Sequence, residues 1–201
     1  MIAILDYDAG NIKSVEKAVA YLGKEAVITR DRDVIMASDK VILPGVGSFG
    51  DAMNKLREYG LDKVIYDVID AKKPFLGICL GLQLLYKESA ESPGVSGLGV
   101  LDGSILKIPE NHGLKVPHIG WNSLNIRDGA TLFRGIPQNT YMYFVHSYYL
   151  HSNDDNDVAA STDYAVNIHA SVEHDNLFAC QFHPEKSSDM GLKILKNFIE
   201  L

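Results

Sequence analysis

Through its first ninety residues the chain alternates short apolar runs with amphipathic stretches, and that alternation restricts it to a small set of folds. "MIAIL" reads as a strand, and Ile12, Val15, Val19 and Leu22 then recur at three- and four-residue steps, the stripe of a helix laid on one face. "EAVIT", "KVILP" and "KPFLGI" repeat the strand pattern, separated by the helical "DAMNKLREYG" and "DKVIYDVIDA". Strands without an internal polar face, joined by helices, predict an α/β fold with a mostly parallel sheet and helices on both sides. From Leu98 the pattern changes to "LGVLDGSILKIP", "YMYFVHSYYL", "DVAAST", "YAVNIHASVE" and "NLFACQF", strand-like segments with polar turns such as "HSNDDNDV" between them. The closing "SSDMGLKILKNFIEL" has a serine cap and an amphipathic period. The expected whole is a single domain over residues 1–201, with a mixed, mostly parallel central sheet flanked by helices.

Composition removes several function classes. A chain of 201 residues, 46% hydrophobic, suffices for one such domain. Its net charge of −7, with Lys and Arg scattered, leaves no electrostatic footprint for a nucleic acid. No apolar run approaches the roughly 18 residues of a membrane span, and the start lacks the basic lead and core of a signal peptide. The 2 cysteines make no disulfide framework, and the 7 histidines show no metal-ligand spacing, so no metal or cofactor is expected and a cytoplasmic setting is.

Within this frame, "GICLG" sets Cys79 between two glycines where a buried strand gives way to a helix. That is the form of a nucleophile elbow with cysteine in place of serine, in which a tight turn pushes the sulfur outward. Free cysteines are more often small core residues, a reading that suits Cys180 in "LFACQF". A thiolate nucleophile needs a base, and the base an orienting carboxylate. "QFHPEKS" offers both: Pro184 keeps His183 extended, so His183 and Glu185 are expected on one side of the segment. "PGVGSFGDAM" spells G-x-G-x-x-G, but no acidic residue ends the next strand to grip a ribose, so a dinucleotide site is rejected. Bare backbone suits an oxyanion hole instead, with donors at Val46 or Gly47 and at Leu80 just after the nucleophile. Gln83 lies one helical turn after Cys79 on the same face, where its amide could meet a substrate.

Together, "GICLGLQLL", "QFHPEKS" and "PGVGSFGDAM" resemble the class I, or triad, glutamine amidotransferases. "DYDAGN", "PHIGWN" and "YFVHSYY" extend the resemblance over nearly the whole chain, toward the glutaminase subunits that serve histidine biosynthesis. The resemblance implies a Cys79, His183 and Glu185 triad that hydrolyses L-glutamine through a thioester. It also implies substrate contacts at Gly45, Gln83 and the backbone of Ser147 and Tyr148. It implies no cofactor, and a (β/α)8 barrel cyclase as partner in a heterodimer, since no site for the ammonia acceptor is legible in these residues. "PHIGWN" is the candidate contact, with Trp121 as an aromatic anchor flanked by Pro117 and Asn122; the alternative is a buried structural tryptophan. A glutaminase of another synthase, for anthranilate or pyridoxal phosphate, and a scaffold without turnover remain competing readings.

Overall fold

The computed structural model describes residues 1–110 and 113–201. In chain order the first half runs β1 (Ile2–Leu5), α1 (Ile12–Tyr21), β2 (Ala26–Thr29), α2 (Arg32–Ala37), β3 (Lys40–Gly45), α3 (Phe49–Glu58), α4 (Leu61–Asp70), β4 (Phe75–Cys79) and α5 (Leu80–Leu84). The second half runs β5 (Gly103–Lys107), β6 (His118–Ser123), β7 (Asn125–Ile126), β8 (Tyr141–His146), β9 (Tyr148–Ser152), β10 (Val158–Tyr164), β11 (Val166–His174), β12 (Leu177–Cys180), a 3-10 turn at Pro184–Lys186 and α6 (Ser188–Ile199).

Among the described residues the main sheet has 8 strands in the order β2-β1-β3-β4-β12-β11-β10-β7. Strands β2, β1, β3, β4 and β12 are parallel, and β11, β10 and β7 extend them antiparallel, giving the mixed, mostly parallel sheet expected. Alternation along β1 shows why its run is apolar throughout. Ile2 and Ile4 pack with Val15 and Val19 of α1 and with Leu195 and Phe198 of α6. Ala3 and Leu5 point the other way, into a second core with Phe49 and Met53 of α3 and Val64 and Ile65 of α4. A strand covered on both faces has no polar face to show.

The last strand, β12, returns to lie beside β4, parallel to it, with Cys180 level with Ile78. The carboxyl ends of β3, β4 and β12 therefore emerge on one edge, the place where open α/β sheets hold their ligands. Among the described residues no helix is long and apolar enough to cross a membrane.

Three local expectations need correction. "YMYFVHSYYL" is not one strand: it divides at Ser147, with β8 pairing β6 and β9 pairing β5 in two separate ribbons. "PHIGWN", not among the strand-like segments read from the sequence, runs into β6, in which Trp121 pairs with Tyr143 and Ile119 with Val145. Ser187 precedes α6 without capping it through its side chain. Its hydroxyl instead donates to the His183 carbonyl (2.7 Å) and accepts the Tyr143 N–H (2.9 Å), so it ties β8 to the segment that carries the histidine.

Candidate active site

Cys79 ends β4 with φ 56° and ψ −109°, a conformation costly for any residue with a side chain, by about 1–3 kcal/mol. The flanking glycines explain how the turn closes. A Cβ on Gly81 would lie 1.9 Å from the Leu43 carbonyl oxygen, and one on Gly77 would lie 2.7 Å from that of Gly81. Helix α5 thus starts directly against β3, which only bare backbone permits. The cysteine is 6% exposed; its sulfur lies 3.7 Å from Gln181 Nε2 and 4.0 Å from the Val145 carbonyl oxygen.

His183 leaves β12 extended (φ −98°, ψ 95°), anchored by its N–H to the Tyr143 carbonyl at 2.9 Å. Glu185 reaches it through the 3-10 turn that Pro184 opens, not by the alternation of an extended segment, and the two meet at 2.9 Å, Nδ1 to Oε1. Both side chains are buried, at 3% and 0% exposure. With Nδ1 engaged, Nε2 is the nitrogen left to serve Cys79. Burial pulls the His183 pKa down, but hydrogen bonds to Cys79 and Glu185 outweigh it and the value is raised to about 9. A third member comes from the far end of the sequence. Asn11, in the left-handed region (φ 70°) before α1, donates from Nδ2 to Glu185 Oε1 at 2.6 Å.

Cys79 and His183 face a cavity of about 330 Å³ lined also by Val46, Gly47, Leu80, Gln83, Ser147 and Tyr148, with Glu91, Pro117, Val145, His146 and Lys186 completing the wall. Of the residues singled out from the sequence for catalysis, the oxyanion or substrate, Glu185 and Gly45 alone lie behind the wall. A Cβ on Gly45 would meet the Tyr7 hydroxyl at 2.3 Å, and that hydroxyl donates to the Pro44 carbonyl at 2.8 Å, so Gly45 shapes the loop from below. The N–H groups of Phe49 and Gly50 at the start of α3, which a nucleotide phosphate would need, are taken by Glu91 Oε2 (2.8 Å) and Ser92 Oγ (3.0 Å).

The proposed contact residues separate. Trp121 is 49% exposed, on one face of the β6–β8 ribbon with Ile119 (61%) and Val145 (36%). Pro117 lines the cavity, and Asn122 donates to the Asp163 carbonyl at 3.0 Å.

Sequence reasoning missed Asn11, Gln181 and a buried histidine pair. His118 Nδ1 meets His146 Nε2 at 3.0 Å, and His146 Nδ1 faces the Tyr148 carbonyl at 2.8 Å. Burial lowers the His118 pKa to about 4 and, with His118 and His183 adding to it, that of His146 to about 3, so both rings are neutral. A neutral His146 must then donate from Nδ1 and accept at Nε2. The motifs that hold these residues were visible; their partners, far away in the chain, were not.

The fold recurs in solved structures. A crystal structure of a glutamine amidotransferase superposes with a TM-score of 0.77 at 20% identity, over 99% of this chain and 97% of that one. PurLQS from Thermotoga maritima gives 0.79 at 21% identity, over 99% and 97%. Residues 3–201 match the glutamine amidotransferase class-I family model, and the chain belongs to that family. More particularly, it is 48% identical to the imidazole glycerol phosphate synthase subunit HisH of Methanocaldococcus jannaschii, over 100% of both chains. To the subunit of the same description from Methanothermobacter thermautotrophicus it is 49% identical, over 100% of this chain and 98% of that one.

Proposed function

We propose that residues 1–201 form the glutamine-hydrolysing subunit of an imidazole glycerol phosphate synthase, supplying ammonia for histidine biosynthesis. The observation that carries this reading is the meeting of Cys79 and His183, from two distant segments of the chain, on one cavity, with Glu185 behind the wall holding the His183 ring at 2.9 Å. Cys79 Sγ attacks the side-chain amide carbon of glutamine, and the carbonyl oxygen becomes an oxyanion beside the N–H groups of Leu80 and of Val46 or Gly47. Protonated His183 gives its proton to the departing nitrogen, and ammonia leaves a thioester on Cys79. Water then attacks the thioester carbon while His183 takes its proton. A second collapse expels the Cys79 thiolate and frees glutamate. Glu185, itself held by Asn11, keeps the imidazole turned toward the sulfur throughout.

Gln83, Ser147 and Tyr148 hold glutamine in this reading. Ammonia released into neutral water is mostly protonated and no longer nucleophilic, so it needs a shielded acceptor. The reading assigns that acceptor to a (β/α)8 barrel cyclase docked on the face around Trp121, in a heterodimer; two free cysteines suit a reducing cytoplasm.

The test is covalent labelling with an electrophilic glutamine analogue, alongside glutamine turnover by the reconstituted pair. Label should go to Cys79, Cys79→Ala should abolish turnover, and Cys180→Ala should leave it nearly intact. Cys180 is fully buried, and burial pushes its thiol well up. Equal losses in the two variants, or label on Cys180, would overturn the assignment.

A further inference from the structure

Behind the nucleophile a buried amide faces the sulfur on the side away from solvent. We infer that Gln181 is a positioning residue for the reaction: its side-chain NH2 hydrogen-bonds the Cys79 sulfur and links it, through Gln83, to the strand that holds the substrate. The inference rests on the reading of Cys79 as the nucleophile.

The direction of every bond in this chain of contacts is set by one carbonyl. Tyr148 O can only accept, and Gln83 Nε2 lies 3.1 Å from it, so Gln83 turns its NH2 toward β9. The second hydrogen of that NH2 points to Gln181, 3.0 Å away, and requires an acceptor there, which is Oε1. With its oxygen facing Gln83, Gln181 presents its own NH2 to the Cys79 sulfur at 3.7 Å. The amide orientations are thus dictated from a backbone oxygen outward. Tyr148 O also receives His146 Nδ1 at 2.8 Å, and a flipped Gln83 would set its own oxygen against that carbonyl, which has no hydrogen to give.

The backbone N–H of Gln181 already has a partner in the Ala170 carbonyl (2.8 Å), and the residue is fully buried. Its side chain is therefore not needed to complete the sheet, where an apolar residue would cost less. What it faces explains its presence. The sulfur carries negative charge before attack and again when the thioester collapses. On one side the Val145 carbonyl, 4.0 Å away, opposes that charge. His183 stabilises it as a cation, but gives up its proton during the reaction. Gln181 is a donor that keeps its protons, so it stabilises the thiolate both as nucleophile and as leaving group.

The experiment measures the rate of Cys79 alkylation by iodoacetamide against pH in the complex with the synthase partner, for the unmutated chain, Gln181→Glu and Gln181→Met, all in a Cys180→Ala background. Loss of a donor to a charged sulfur should move the alkylation midpoint up by about one pH unit in Gln181→Met, and further in Gln181→Glu. Catalytic efficiency with glutamine should fall by about tenfold or more, mostly in kcat. A role in packing alone would lower the melting temperature and leave the midpoint where it was, which overturns the inference. In the unmutated chain the side-chain NH2 resonances of Gln181 should shift through the same pH range, and resonances that stay put overturn it without any substitution. If Cys79→Ala still turned over glutamine, the reading of the nucleophile would fail, while the alkylation midpoints would still judge the Gln181 contact on its own terms.

Discussion

His183 is buried, which favours the neutral ring, yet it is held protonated by Cys79 and Glu185 with a pKa raised to about 9. In the unfolded chain the same group titrates near 6.5. Because the folded value is the higher one, its contribution to stability is complete below about 6.5, declines above that, and is gone once the pH passes about 9. The stability difference between the unmutated chain and His183→Gln, read from urea unfolding, should therefore shrink by on the order of 2–3 kcal/mol between pH 6 and pH 10. A constant difference would mean the ring is neutral at rest. Glu185→Gln removes one of the two groups that hold the proton, so it should lower this midpoint while keeping more glutamine turnover than His183→Ala.

At the scale of elements, the elbow depends on α5 meeting β3 without side-chain volume between them. Gly81→Ala would set its methyl 1.9 Å from the Leu43 carbonyl oxygen, backbone that cannot swing aside. A loss of about 3 kcal/mol or more is expected by chemical denaturation, together with slower labelling of Cys79 as the helix start is displaced. A variant of unchanged stability would show that the two elements can separate. The elements themselves were unequally legible. Strands β1, β3 and β4 announced themselves as apolar runs because both faces are covered. Helix α2 and strand β6 did not. Helix α2 has 6 residues and rests on the Asp31 side chain capping the N–H groups of Asp33 and Val34, while β6 leaves Ile119 and Trp121 on an open face, so neither shows the expected alternation.

For the whole molecule, the proposed division of labour makes glutamine and ammonia separable inputs. In complex with the partner, Cys79→Ala should yield no product with glutamine, yet make product from ammonium salt at a pH that supplies free ammonia. Failure with both, despite normal complex formation, would mean this chain takes part in the synthase chemistry. Trp121 is half exposed beside Ile119 and Val145, and the proposed docking face takes it as its anchor. Trp121→Ala should weaken the complex by roughly 2 kcal/mol, measured by titration calorimetry, and leave ammonia-dependent synthesis by the partner intact. Unchanged affinity would place the docking face elsewhere.

The residues that set the fold class and the proposed reacting groups act locally; the sequence alone determined the first and pointed to the second. Apolar runs at strand period, stripes at helical period, the glycines around Cys79 and the proline after His183 each work within a few neighbours, so their spacing is their physics. What only the tertiary structure decided is which distant groups meet. Glu185 and Asn11 are 174 positions apart, and Gln181 and Cys79 are 102 apart, joined because β12 inserts beside β4. Ser187 looked like a helix cap and became a tie between β8 and the histidine segment, its hydroxyl taking the Tyr143 N–H in place of one from its own helix. Hydrogen bonds of this kind carry no period along the chain; they exist only once the sheet order has brought the strand ends to one edge.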